Sequence, residues 1–146
     1  MDVWGLGRMG CSPGTAGASF GLGQPGTHIG AELRDVEGAR CWIETSTRDQ
    51  KAALGFYERV FGWSADVSEG YTQFTLAGAP VGGCMDMPDM VPAEAPSYWM
   101  PYFAAQDPAA KAQEAAGLGA TVLVPFMEMA HVAFPVVIDP PRPTLV

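Results

Sequence analysis

A chain of 146 residues has room for one full-sized domain with a real core, and not for two. Hydrophobic residues make up 48% and charged residues 16%, while 18 glycines and 13 prolines interrupt the chain unusually often. The net charge of −8, with no cluster of Lys or Arg, excludes a basic surface for nucleic acid, and no apolar run approaches the roughly 20 residues of a spanning helix. The N-terminus Met1-Asp2-Val3-Trp4 has an acid where a signal peptide would be basic, so a cytoplasmic location is expected. Cys11, Cys41 and Cys84 are odd in number and irregularly spaced, which fits reduced, buried thiols better than a disulfide framework or a zinc site.

In chain order, Gly5 to Gly30 is rich in Gly, Ser and Thr, with one short strand expected at Ala18–Leu22 and a turn at Gln24-Pro25-Gly26-Thr27. The glycines there are irregular and precede no helix, so they do not make a phosphate loop. From Arg40 the signals sharpen. Cys41–Ser46 has the β-branched and aromatic content of a strand, and Thr47 or Asp49 is placed to cap a helix running to Phe61. Ala53, Phe56, Tyr57, Val60 and Phe61 give that helix an apolar face, and Gly62 ends it. Strands follow at Ser64–Ser68, Tyr71–Leu76 and Val81–Met85, the last two joined by a turn at Ala77-Gly78.

After a proline-broken loop from Met87 to Pro96 the same order restarts. Ser97–Ala105 reads as a strand, Asp107-Pro108 as a helix start, the alanine-rich run to Ala116 as a helix, and Thr121–Phe126 and Val132–Ile138 as strands. The second copy then runs into Asp139-Pro140-Pro141-Arg142-Pro143, where a regular final strand is not expected. The pattern is α+β, built from two βαβββ units with the last strand degenerate.

The stretches Trp42…Arg48-Asp49…Gly55-Phe56-Tyr57…Val60-Phe61-Gly62-Trp63, Tyr71-Thr72-Gln73-Phe74 and Pro80-Val81-Gly82-Gly83 resemble the first half of a vicinal-oxygen-chelate domain. Tyr102-Phe103…Asp107, Leu118-Gly119-Ala120-Thr121-Val122, Val124-Pro125 and Ile138-Asp139-Pro140 resemble its second half, so the resemblance covers residues 40–140. This is the superfamily of glyoxalases, bleomycin-resistance proteins and extradiol dioxygenases, and the likeness is to a branch of tandem domains named glyoxalase-like or hydroxylase. It implies a half-barrel of paired modules over residues 40–146. Residues 1–39 then resemble the terminal strands and linker of a preceding domain, which makes the chain a truncated product or a fragment. The strand Ala18–Leu22 is expected to fill the sheet edge left by the degenerate C-terminal strand, within the chain or in a homodimer.

The resemblance further implies a divalent metal held by four side chains, and it places Trp42, a residue near Gly83, Met100 and Val146 at those positions. None suits such a metal, so no metal and no cofactor is expected. His28 and His131 lie far apart in sequence, and His131 reads as an exposed loop residue. Glu44 lies two residues after Trp42 and so shares its strand face, where it can serve as a general base or hydrogen-bonding anchor; the alternative is a structural carboxylate. Trp42, Tyr71, Phe74, Met85, Met100 and Tyr102 are expected to line one concave surface suited to a flat, partly aromatic molecule, or else to fill the core. Two functions stay open: metal-independent binding of a small molecule, and a lyase or oxidoreductase with Glu44 as acid–base residue. An inactive remnant serving only association is a third.

Overall fold

The computed structural model describes residues 1–2, 5–14, 17–28, 30–68, 71–129 and 132–139. It divides into two compact units, one of residues 1–35 with 39–103, the other of residues 36–38 with 104–146.

The first unit begins with a hairpin, β1 (Gly7–Pro13) and β2 (Ser19–Pro25), paired antiparallel along its whole length. β3 (Arg40–Thr47) leads into helix α1 (Gln50–Phe61), and β4 (Ser64–Ser68), β5 (Tyr71–Leu76), β6 (Ala79–Asp86) and β7 (Tyr98–Phe103) complete the unit. The sheet order is β4-β5-β6-β3-β7, with β3 parallel to β6 and antiparallel to β7. This is the strand, helix and three strands of one βαβββ module, whose fourth strand returns to lie beside its first.

Local chemistry accounts for the helix. The Asp49 carboxylate accepts a hydrogen bond from the Ala52 N–H at 2.9 Å, satisfying one of the donors that a helix start leaves open, whereas Thr47 Oγ1 accepts from the Asp49 N–H instead. At the other end Gly62 takes φ +69°, a left-handed conformation open to glycine without steric cost, and its N–H closes on the Glu58 carbonyl. The buried stripe of α1, Ala53 and Tyr57, packs on Phe74 and Cys84 of the sheet. Tyr57 is the hub. Its ring lies 5.5 Å from that of Phe74 and 5.3 Å from that of Trp99, both edge-on, and its hydroxyl accepts from Trp99 Nε1 at 2.9 Å.

The second unit holds α2 (Pro108–Gly117), β8 (Thr121–Met129) and β9 (Val132–Ile138). Asp107 caps α2 through a hydrogen bond from the Ala110 N–H, and Pro108 stands in the first turn, where its missing N–H costs nothing. α2 packs on the antiparallel β8–β9 pair, in which Val122 faces Val137 and Val124 faces Val136. The degenerate last strand expected at 140–146 lies outside the described residues, as do His131 and Val146. Among the described residues no helix is long and apolar enough to cross a membrane.

Two expectations need correction. Within the chain, the strand expected at Ala18–Leu22 does not fill the edge beside the C-terminal strands: among the described residues β2 pairs only with β1, as a separate two-stranded sheet, and Phe20 is directed at the rings of Phe56, Tyr57 and Phe61. The cysteines are all free, but they are not all buried. Cys84 is fully buried beneath α1, Cys41 is half-buried with its thiol against the Tyr102 carbonyl at 3.5 Å, and Cys11 is exposed on β1.

Candidate functional site

Strand periodicity sorts the side chains of the main sheet into two faces. Register pairs Trp42 with Tyr102, Glu44 with both Gly83 and Met100, Ser46 with both Met85 and Tyr98, and Gly83 with Gln73. These residues share the face opposite α1, and Tyr71, two residues before Gln73, joins them. Five of the six expected lining residues therefore stand together around Glu44. The sixth does not: Phe74 is 1% exposed and sits in the core under α1 against Tyr57, Trp63 and Trp99. Tyr71 and Phe74 are three residues apart in one strand, an odd spacing that sends them to opposite faces.

At the centre of this face is a hydrogen-bonded chain of side chains. Trp42 Nε1 donates to the Tyr71 hydroxyl at 3.0 Å. Tyr71 is in turn hydrogen-bonded to Glu44, and the Tyr102 hydroxyl donates to Glu44 Oε1 at 3.0 Å. An indole N–H can only donate, so the single phenolic proton of Tyr71 is left for the carboxylate. Glu44 itself is buried at 6% exposure, while Trp42, Tyr71, Met85, Met100 and Tyr102 are half-buried. Burial, together with the adjacent Glu44 carboxylate, raises both tyrosine hydroxyls above the ordinary phenol range and keeps them as neutral donors.

The close approach depends on Gly83. A Cβ there would collide with the Tyr71 hydroxyl, lie 2.7 Å from Tyr71 Cζ and 3.2 Å from Glu44 Oε2. Tyr71 reaches across from β5 into the space that a side chain on β6 would occupy, and so brings its hydroxyl to Glu44. Sequence reasoning placed Gly83 only as an empty ligand position and did not foresee Tyr71 filling it. It also missed Ser46, whose hydroxyl is fully buried two residues beyond Glu44 and has no hydrogen-bond partner among the described residues. The i, i+2 rule that joined Trp42 to Glu44 would have found it.

The superfamily's metal requires four oxygen or nitrogen donors, and these residues do not fit one. Trp42 offers a hydrogen-bond donor, Met100 a soft thioether and Gly83 no side chain, with the Tyr71 hydroxyl already in its place. The fourth position, Val146, lies outside the described residues. Among the described residues no group of three His, Cys, Asp or Glu side chains is placed to hold a metal ion, and His28 is exposed in the segment before β3.

The opposite face carries an apolar cleft that the sequence did not suggest. Phe20, Ile43, Tyr57, Phe61, Trp63 and Trp99 line this cleft of about 300 Å³ between β2 and the sheet. Ser19 also lines it, and its lining residues include no carboxylate.

No family model matches the chain. Two curated proteins named "Putative glyoxylase CFP32", from Mycobacterium bovis and Mycobacterium tuberculosis, are each 37% identical to it over 146 residues, covering 96% of this chain and 55% of theirs. The anthracycline biosynthesis protein DnrV of Streptomyces peucetius is 34% identical over 126 residues, covering 84% of this chain and 45% of DnrV. The chain thus spans about half the length of the curated relatives it matches.

Proposed function

Because the chain belongs to the vicinal-oxygen-chelate superfamily, we propose that it binds a small, partly aromatic molecule on the Glu44 face of its sheet without a divalent metal. The observation that carries this reading is the chain of hydrogen-bonded side chains Trp42–Tyr71–Glu44–Tyr102 on one face of the sheet. Such a wall of rings around one buried carboxylate offers a flat apolar body a surface to lie on and one polar point to orient it. Trp42, Tyr71, Met85, Met100 and Tyr102 form the wall; Glu44 is the anchor. Phe74 supports it from beneath.

A second reading rests on the name glyoxylase carried by relatives 37% identical to the chain. In it Glu44 is the acid–base residue of a lyase or oxidoreductase, with Tyr71 and Tyr102 fixing the carboxylate toward a bound substrate. Glu44→Gln separates the two: in the enzyme it abolishes turnover, whereas in the binding module the rings still hold the ligand, more weakly for the loss of its polar anchor.

The experiment for the principal reading is a thermal-shift screen of small aromatic compounds with a metal chelator present throughout. At least one compound should raise the melting temperature, and Trp42→Ala should remove that rise. Stabilisation by none of them, or stabilisation appearing only when metal replaces the chelator, would contradict it.

A further inference from the structure

The Glu44 face centres on a buried carboxyl group that has no cationic partner among the described residues. Glu44 is 6% exposed, yet no Lys, Arg or His among the described residues forms an ion pair with it; the salt bridge found there joins Lys111 to Glu114 on the surface of α2. Its hydrogen-bond partners are two neutral phenols. A carboxylate offers about four lone-pair positions, so two phenolic protons leave roughly half of its accepting capacity unused. Removing such a group from water without a counter-charge is costly, and a cation that arrives with a ligand offsets that cost.

The surroundings suit a cation as well as the carboxylate does. Trp42, Tyr71 and Tyr102 are each pinned by a polar edge, through the indole N–H or a hydroxyl, which fixes their rings around the carboxylate. Ser46, two residues further along β3, adds a buried hydroxyl with an unmet hydrogen bond on the same face. The net charge of −8 draws cations toward the molecule as a whole.

We infer that the Glu44 face takes an organic cation: a molecule with an aromatic or apolar body and a protonated amine, the amine seated against Glu44 between Trp42, Tyr71 and Tyr102. This rests on the binding reading above and narrows its ligand to one charge class.

The test compares matched probes by calorimetry on the full chain at neutral pH: tryptamine against tryptophol, and phenethylamine against 2-phenylethanol. Each amine should bind at least tenfold more tightly than its neutral partner. Glu44→Gln should bring the amine down to the neutral compound's level, because a charge-assisted hydrogen bond is lost while the rings remain. Should Glu44→Gln fold poorly by melting temperature, Trp42→Leu serves instead and should weaken the amine more than the alcohol. Equal binding of amine and alcohol to the wild-type chain overturns the cation inference and leaves the binding reading intact. Binding of neither at millimolar concentration overturns both.

Discussion

Substituting Gly83 tests the construction of the site more sharply than removing any one of its polar groups. An alanine there would put a methyl group onto the Tyr71 hydroxyl and within 2.7 Å of its Cζ, so the phenol must leave. With it go the hydrogen bond from Trp42 and the one to Glu44, and the buried carboxylate keeps only Tyr102. A neutral hydrogen bond contributes about 1 kcal/mol and one to a charged group about 1.5–3 kcal/mol, so a loss of roughly 2–3 kcal/mol is expected after partial rehydration of the freed groups. For a chain of this size that is a fall in melting temperature of about 10 °C. Without the clash, alanine in place of glycine in a strand is favourable by up to about 1 kcal/mol, since it restricts the unfolded chain. In a Tyr71→Leu background, where no hydroxyl lies over Gly83, Gly83→Ala should therefore cost less than about 0.5 kcal/mol. Urea unfolding of the four proteins in this cycle measures the coupling, expected at about 2 kcal/mol. Equal cost of Gly83→Ala in both backgrounds would refute the placement of Tyr71 over Gly83.

Alkaline pH should loosen the fold in two steps. Burial, and the charges of Asp86 and Glu44, push the Cys84 thiol from 9.0 up to about 12. A folded value raised in this way stabilises the protein fully below pH 9, and that contribution is lost as the pH climbs toward 12. Tyr71 and Tyr102, raised from 10.0, add a further loss above pH 10. Melting temperature should stay level to about pH 8.5 and then fall; Cys84→Ala should delay the onset toward pH 10, and a level profile through pH 11 would contradict the assignment. Under α1, Tyr57→Phe leaves the Trp99 Nε1–H without its acceptor and should cost about 1–2 kcal/mol by urea unfolding, against about 3–5 kcal/mol for Tyr57→Ala.

Elements governed by short-range chemistry were legible in the sequence. Asp49 and Gly62 bracket α1, Asp107-Pro108 opens α2, and the turn at Ala77-Gly78 separates β5 from β6 as expected, with Ala77 and Gly78 both at positive φ. β1 was not foreseen as a regular strand from propensity, because Gly-Arg-Met-Gly-Cys-Ser-Pro has neither alternation nor β-branched content; its pairing with β2 makes the strand. Within the site, Trp42 and Glu44 were joined correctly by even spacing, while Phe74 was misplaced by neglect of the same rule. What no local rule supplies is register between strands. Gly83 pairs with Glu44 on one side and Gln73 on the other, and the β5–β6 pairing slips between Phe74 and Thr75. The reach of Tyr71 over Gly83 depends on that register, and so does the contact between the two tyrosines and Glu44.

The central claim is that this face works without a divalent metal. Metal analysis of protein purified without an affinity tag, followed by melting with added Fe, Mn, Zn or Ni, tests it most directly. The account predicts well under one metal per chain and no rise in melting temperature, whereas a metal at 100 times its dissociation constant would stabilise the fold by about 2.7 kcal/mol. One metal per chain, with a rise in melting temperature that Glu44→Ala removes, would contradict the account and make Glu44 a ligand.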